Sequence, residues 1–349
     1  MDEGHSVSGT VAIVPSSWMT MHRPPPIRPM CAVLAAALLA CACSCAPATR
    51  APLRVAISPW PGYEYLYLAQ ERGYYEAEGV DVQLVELESL GDSRAAFENG
   101  SVDAFGSTLV ELLVSHAQAT RHPQAFFVAD YSNGADMLLA DSTIRTVADL
   151  RGKRVGLEAG SIDVIGVAAA LASAGLTLRD VDLVPMPQNE KDYAFEHGTI
   201  QAVQCFPPGS ADLEARPGVH RLFDSSRTPG LIVDVIVADS LELATHTARY
   251  AAFLRAVTRA QDWAAAHPEE AFALMAAREG LSPAEFAEGL AGLHIVPMNE
   301  QADHLGPAGG TLAALKLTQE ALLTTGTIAR SGPLPSLVTA AALPPGAPR

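Results

Sequence analysis

Short apolar runs alternate with amphipathic stretches from residue 53 onwards. LRVAIS (53–58), VDVQLVEL (80–87) and SVDAFGS (101–107) have the length and composition of strands, and helix-like segments separate them. The same order returns in residues 153–205, where KRVGLEAG, VDLVPM and TIQAVQC alternate with two further helix-like segments. The pattern predicts an α/β fold with two similar βαβαβ units, each built on a parallel sheet that is covered on both faces.

Two further apolar runs connect these units. MLLA (137–140) and LIVDVIVAD (231–239) predict buried strands where the chain crosses from one lobe to the other and back. The remainder is helical, with Pro268 and Pro283 at helix starts. The predicted boundaries are 52–139 for the first part of lobe 1, 140–231 for lobe 2, 232–330 for the return to lobe 1, and 331–349 for a loose Pro-rich tail.

The first forty residues predict an export signal rather than part of the fold. Arg23 and Arg28 precede the apolar stretch CAVLAAALLACACSC (31–45), which is too short to span a membrane. Leu38-Leu39-Ala40-Cys41 resembles a lipobox, so we expect a lipoprotein signal over 1–40, lipidation of Cys41 and a tether over 41–51. Cys43 is the alternative lipidation site, and an ordinary signal peptide is the alternative to lipidation.

The charge and the cysteine content argue against several classes of protein. The formal net charge is −16 and no Lys/Arg cluster occurs, which argues against nucleic-acid binding. Four of the five cysteines lie in the leader, so Cys205 alone cannot build a disulfide framework. No HExxH pattern, phosphate loop or Ser/His/Asp arrangement occurs, and we expect no metal and no cofactor.

The candidate site follows from where ligands bind in open α/β sheets, which is outside the carboxyl ends of the strands. Two facing sheets would form a cleft between the lobes. The strand ends that would line this cleft are residues 58–63, 106–108, 130–133, 158–161 and 204–207, together with Asp234.

Several of these residues allow a structural interpretation as well as a functional one. Trp60 could pack in the core or contact a ligand, because it lies between two prolines just after a strand. Ser107, Thr108 and Ser161 could cap helices, and helix N-termini also attract anions. Glu158 could be a solvated turn residue or face the ligand. Asp234 needs a partner, either a backbone amide at the hinge or an amine on the ligand.

The segment DYSNGAD (130–136) predicts the hinge turn. Its Ser132-Asn133-Gly134 core consists of turn-forming residues. We interpret Ser132 and Asn133 as reaching into the cleft, and Asp130 and Asp136 as holding the turn.

Five segments together resemble the solute-binding proteins of ABC importers. They are PWPGYEYLYLAQERGYY, ENGSVDAFGST, DYSNGAD, VADLRGKRVGLEAGS and GLIVDVIVAD. The resemblance covers residues 53–293 and is narrowest to the nitrate/sulfonate/taurine class, which is related to the thiamine-pyrimidine-synthase-like group. It implies a type II periplasmic binding fold, two lobes that close by hinge motion around a ligand, and delivery to a permease and its ATPase.

The resemblance also implies a set of ligand contacts and a location. The implied molecule is a monomeric periplasmic or cell-surface lipoprotein, held at the membrane by its lipid anchor, that takes a small-molecule ligand. Carried over by position, the ligand contacts are Trp60, Ser107, Thr108, Ser132, Asn133, Glu158, Gly160, Ser161, Gln204 and Asp234.

The nature of the ligand depends on charge. The residues nominated for the cleft include acids and an aromatic but no base, which favours a ligand with an amino group or cationic centre, such as a taurine-like zwitterion or an aminopyrimidine. The alternative is a small-molecule enzyme on the same fold. Thiamine-pyrimidine synthases need a cysteine-rich motif and a reactive histidine, and no cysteine cluster follows the leader.

Overall fold

The computed structural model describes residues 51–206, 210–306, 309–330 and 332–344. Residues 1–50 lie outside this description, and they include the predicted signal, Cys41 and the tether up to residue 50. Residues 331 and 345–349 of the predicted tail lie outside it as well. The strands are β1 (Leu53–Ile57), β2 (Val82–Glu86), β3 (Ala104–Thr108), β4 (Pro123–Ser132), β5 (Met137–Asp141), β6 (Arg154–Leu157), β7 (Asp182–Pro185), β8 (Ala202–Cys205), β9 (Val219–Asp224), β10 (Val233–Asp239) and β11 (Leu293–Ile295).

The helices fill the connections and follow the strands to the C-terminus. They are α1 (Glu64–Glu71), α2 (Tyr74–Ala77), α3 (Leu90–Glu98), α4 (Leu109–Gln118), α5 (Asp163–Ser173), α6 (Lys191–Glu196), α7 (Ala211–Glu214), α8 (Ser240–Thr245), α9 (Thr247–Ala266), α10 (Pro268–Glu279), α11 (Pro283–Ala291), α12 (Gln301–Leu305) and α13 (Gly310–Thr325). Pro268 and Pro283 occupy first-turn positions, as predicted, where the missing N–H costs no hydrogen bond.

Lobe 1 is built on a six-stranded sheet with the order β11-β4-β10-β3-β1-β2. Strand β1 pairs in parallel with β2 and β3, whereas β10 is antiparallel to both β3 and β4. The strands β1, β3 and β10 are buried almost throughout, which matches their continuous apolar runs.

Lobe 2 repeats this arrangement in a five-stranded sheet with the order β7-β6-β8-β5-β9. Strand β6 pairs in parallel with β7 and β8, and β5 is antiparallel to β8 and β9. Thus β5 has the position in lobe 2 that β10 has in lobe 1. The predicted two-lobe α/β fold is confirmed, with mixed rather than purely parallel sheets because the two crossing strands run antiparallel.

The chain passes between the sheets at residues 133–136 and 225–232. Strand β5 pairs within the second sheet from Met137 onwards, so the first crossing lies just before the predicted lobe boundary at 139/140. The sequence interpretation did not assign β4, β9 or β11. Helix α3 begins after its N-cap Ser89, whose side chain accepts a hydrogen bond from the Asp92 N–H.

The C-terminal helix α13 contacts both lobes. It packs against α4 of lobe 1 and against α5 of lobe 2. Beyond its end, a Cβ placed on Gly160 of lobe 2 would lie 3.6 Å from a methyl carbon of Thr327. Among the described residues, no helix combines the length and the apolar character that a membrane span requires.

Candidate ligand-binding cleft

A cavity of about 520 Å³ lies between the lobes where the carboxyl ends of the strands meet. Its volume is within the range that suits small-molecule ligands. The predicted site residues that line it are Trp60, Thr108, Glu158, Gly160, Ser161 and Asp234. Both lobes therefore contribute to one site, as two facing sheets require.

Trp60 meets the second lobe across this cleft. Its ring contacts Phe206 edge to face, with ring centroids 6.1 Å apart and an interplanar angle of 84°. Its indole Nε1 donates to the carboxyl group of Asp130, at 3.3 Å from Oδ2 and 3.4 Å from Oδ1. The tryptophan thus offers an apolar ring face to the ligand space, and its hydrogen bond to Asp130 fixes the orientation of the ring.

Asp130 and Asp234 lie side by side under the loop that carries Trp60. They are directly opposite each other in the antiparallel pairing of β4 and β10, and the register shifts immediately after Asp234. Tyr63 Oη donates to Asp234 Oδ1 at 3.1 Å. Burial raises the pKa of Asp130 to about 7. Burial, followed by the charge of Asp130, raises the pKa of Asp234 well above its usual value.

Helix starts supply polar groups from both lobes. Thr108 caps α4 in a capping box, in which its Oγ1 accepts from Val110 N at 3.1 Å and Glu111 Oε2 accepts from Thr108 N at 3.0 Å. In lobe 2, Ser161 Oγ accepts from Asp163 N at 3.2 Å and donates to the Glu158 carbonyl at 3.0 Å. The first turns of these helices face the cleft and favour negative charge there.

A buried ion pair supports the lobe 2 side of the cleft. Lys191 Nζ donates to Asp163 Oδ2, and both side chains are at most 1 % exposed. The same Asp163 oxygen accepts from Glu158 N at 2.7 Å, and the Lys191 ammonium lies 5.9 Å from the Phe206 ring centroid. Burial, followed by the charge of Asp163, raises the pKa of Glu158.

Four predicted contacts do not line the cleft. Ser107 is fully buried with Oγ donating to the Thr108 carbonyl, and Gln204 is buried against Gly166 of α5. Ser132 is fully buried and bonds Ser225 Oγ at 2.7 Å across the two crossings. Asn133 lines a separate cavity of about 720 Å³ next to the hinge. Ser107, Ser132 and Gln204 still belong to the last two residues of their strands, and only Asn133 follows a strand end, so these side chains are buried or face the other side.

The roles within the hinge segment are partly exchanged relative to the sequence interpretation. Ser132 Oγ accepts from Asp136 N at 3.0 Å, so the serine holds the turn. Asp136 lines the cleft, and burial raises its pKa to about 7. Asp130 lies directly beneath Trp60. Both aspartates are therefore part of the site rather than only of the turn.

The sequence interpretation also missed a basic residue. Arg94 lines the cleft together with Glu88 and Ser89, which follow the carboxyl end of β2. Its guanidinium pairs with Glu98 at 2.8 Å on the same helix. The residues nominated from the sequence include no base, but Arg94 also lines this cavity. The strand-end rule, applied to β2 as well, would have found this segment.

A larger cavity of about 770 Å³ lies elsewhere on lobe 1, among residues of α9 and the segment around Met298. It touches no carboxyl end of a parallel strand, so we take the interlobe cleft as the candidate site. Within the described ranges, no group of three or more His, Cys, Asp or Glu side chains is placed to hold a metal ion.

This architecture is that of the two-lobed periplasmic binding proteins. The periplasmic aliphatic sulphonate binding protein SsuA from Escherichia coli superposes with a TM-score of 0.71 at 18% identity, covering 83% of this chain and 92% of that one. The NMT1/THI5-like family model matches residues 60–271. The chain belongs to the NMT1/THI5-like family.

Relatives of this chain have names of two kinds. A Brucella abortus (strain 2308) protein named "putative binding protein" is 27% identical over 243 residues, 65% of this chain and 71% of that protein. A Candida albicans (strain WO-1) protein named 4-amino-5-hydroxymethyl-2-methylpyrimidine phosphate synthase is 26% identical over 225 residues, 60% of this chain and 65% of that protein. The relatives therefore include proteins named as binding proteins and proteins named as an enzyme.

Proposed function

We propose that this protein is the extracytoplasmic solute-binding component of an ABC importer. It binds a small polar molecule between its lobes and delivers it to the permease and its ATPase. The observation that carries the proposal is the interlobe cleft, in which Trp60 and Phe206 meet from opposite lobes above buried acids. A cleft assembled from two lobes changes with their closure, which is what a carrier needs.

The membrane-proximal part of the proposal comes from the leader. An export signal followed by lipidation of Cys41 would place a monomeric body at the outer face of the membrane, next to its transporter. The SsuA neighbour is named as a protein that binds aliphatic sulphonates, and we extend to this chain only the role of a binder.

The ligand that suits this cleft has a cationic or amino group and tolerates an anionic one. Asp136, Glu158 and Asp234 line the cleft, and an amine would compensate their burial. Arg94 and the starts of α4 and α5 suit an anionic group. A taurine-like zwitterion or an aminopyrimidine fits this charge pattern better than nitrate or a plain alkyl sulfonate.

A thermal-shift screen of the purified full-length protein tests the proposal. The panel contains taurine, alkyl sulfonates, nitrate, an aminopyrimidine, choline and polyamines. A ligand at about 100 times its dissociation constant adds about 2.7 kcal/mol to the unfolding free energy. We expect a selective shift with an amine-bearing compound that Glu158→Gln abolishes. Glu196→Gln, on an exposed carboxylate of lobe 2, is the matched control.

The alternative is a small-molecule enzyme, which the name of the Candida relative favours. Recovery of the bound compound unchanged supports transport, and its turnover supports the enzyme. In this structure Cys205 is buried, and burial raises the pKa of its thiol far above the usual range, which disfavours it as a nucleophile.

A further inference from the structure

The floor of the cleft contains a pair of carboxyl groups whose charge is not balanced by a base. Asp130 and Asp234 are 0 % and 4 % exposed, and they face each other across two antiparallel strands. Side chains directly opposite in such a pairing lie on the same face of the sheet and within contact distance. Two carboxylates this close in a dry site do not both ionise easily.

The cleft loop closes over this pair and supplies its hydrogen-bond donors. Trp60 Nε1 donates to Asp130, and Tyr63 Oη donates to Asp234. A Cβ on Gly62 would lie 1.8 Å from Asp130 Oδ2, so the loop backbone presses directly on that carboxyl group. Both donors are neutral, and they leave the charge of the pair uncompensated.

The other groups that face the pair are mainly acidic. Asp136 acts on both carboxyls and Glu111 acts on Asp234, and each adds negative charge. Tyr65 also lies within range of Asp130. The ammonium of Lys191 acts on Asp136 and pairs with Asp163. Within the described residues, neither member of the pair forms an ion pair with a basic side chain.

We propose that Asp130 and Asp234 form a proton-holding pair that recognises the cationic group of the ligand. Asp234 stays protonated and donates to Asp130, and the pair releases a proton to solvent when a cation enters the cleft. This assigns a specificity-determining role to Asp130, which does not itself line the cleft surface. Recognition of a cationic ligand by the pair rests on the proposed function. The sharing of a proton by Asp130 and Asp234 does not depend on it.

The indole N–H of Trp60 reports on this pair directly. In the ¹⁵N-labelled full-length protein, which has three tryptophans, Trp60→Phe assigns its indole resonance. The pKa of Asp130 is raised by burial to about 7, so we expect this resonance to titrate with a midpoint in the neutral range. The step disappears in Asp130→Asn and persists in the matched control Asp136→Asn. A flat resonance from pH 5 to 9 overturns the inference.

Two substitutions at Asp234 test whether it holds the proton. Asparagine mimics a protonated carboxyl group and keeps a donor, so Asp234→Asn leaves the midpoint within about half a pH unit. Asp234→Ala removes the donor and raises the midpoint by about one unit. If Asp234 were ionised, Asp234→Asn would lower the midpoint by more than about one unit because a negative charge is lost, and the pair would not exist.

Calorimetry with choline, taurine and putrescine tests recognition of a cationic ligand by the pair. In two buffers of different ionisation enthalpy at pH 6.5, a bound amine releases close to one proton from the native protein and none from Asp130→Asn. Binding without proton release leaves the proposed function standing and removes this inference. If none of the three compounds binds even at pH 8, both the proposed ligand class and the proposed recognition of a cation by the pair are wrong. The indole titration then still tests whether Asp130 and Asp234 share a proton.

Discussion

Lobe 2 and the hinge bury their carboxyl groups in opposite ways. In lobe 2, Asp163 is fully buried but has the ammonium of Lys191 beside it and the Glu158 N–H as a further donor. At the hinge, Asp130, Asp136 and Asp234 are also buried, and the groups that donate hydrogen bonds to them are neutral. The lobe 2 acid is balanced within the fold, whereas the hinge acids leave room for a positive charge from outside.

This difference has a physical consequence for mutations. Removing one partner of a balanced buried pair leaves an unpaired charge, which is costly. Neutralising a member of an unbalanced group removes repulsion, which costs little or is favourable. The same chemical change should therefore have opposite effects in the two regions.

The largest expected effect is in lobe 2. Lys191→Met leaves Asp163 buried without its ammonium and should lower the unfolding free energy by about 3–5 kcal/mol. Chemical denaturation measures this change. The double variant Lys191→Met/Asp163→Asn should recover most of the loss, and equal stability of Lys191→Met and the native protein would remove the contrast between the regions.

A smaller effect is expected where the cleft loop meets the hinge acids. Gly62→Ala places a methyl group 1.8 Å from Asp130 Oδ2, so the loop or the carboxyl group must move. Such overpacking costs about 1–3 kcal/mol. Gly91→Ala, where the nearest atom would lie 3.6 Å away, is the matched control for a glycine at the cleft. Equal unfolding midpoints for both variants would contradict this geometry.

The hinge acids also predict how stability depends on pH. Burial raises the pKa of Asp130 and of Asp136 to about 7 in the folded state, above the usual carboxyl value near 4. The folded protein then binds more protons than the unfolded chain between about pH 4 and 7, so its stability falls as the pH rises through this window. Each such proton contributes up to about 1.4 kcal/mol per pH unit.

Denaturation of the native protein and of Asp130→Asn at pH 5, 6 and 7 measures this slope. Asp130→Asn should reduce it by the contribution of one proton, and the midpoints should approach each other at low pH. Stability that rises with pH over this window, equally in both proteins, would show that the hinge acids are ionised.

The smallest effect is expected at neutral pH for the hinge acids themselves. Asp234→Asn keeps the hydrogen bonds to Tyr63 and removes no ion pair, so the unfolding free energy should change by less than about 1 kcal/mol. A loss as large as that of Lys191→Met would show that Asp234 is balanced by a partner, and the comparison would fail.

The fold could be predicted from the sequence because strand-length apolar runs recur in the same order. The runs at 53–58 and 153–160 begin two units with equivalent sheet orders. Strand β4 was not predicted, although FFVAD (126–130) is largely apolar. This run precedes a turn and lies outside the two βαβαβ units that the sequence pattern indicates. Its place between β10 and β11 depends on residues more than a hundred positions away.

The site was predictable only where a strand end alone decides which way a side chain faces. Trp60 and Glu158 line the cleft for this reason. Ser132 and Asp136 exchanged roles because the hinge is closed by Ser225, which the chain brings back only at the second crossing. Arg94 received no role from the sequence; it pairs with Glu98 at i,i+4, and the packing of α3 beside the cleft brings it to the ligand space.

The position of α13 changes the mechanics of the molecule. If the two chain crossings were the only connections, the lobes could rotate relative to each other about the line that joins the crossings. Because α13 packs against α4 of lobe 1 and α5 of lobe 2, it forms a third attachment that the two crossings do not provide. Separation of the lobes would therefore require α13 to shift relative to α4 or α5.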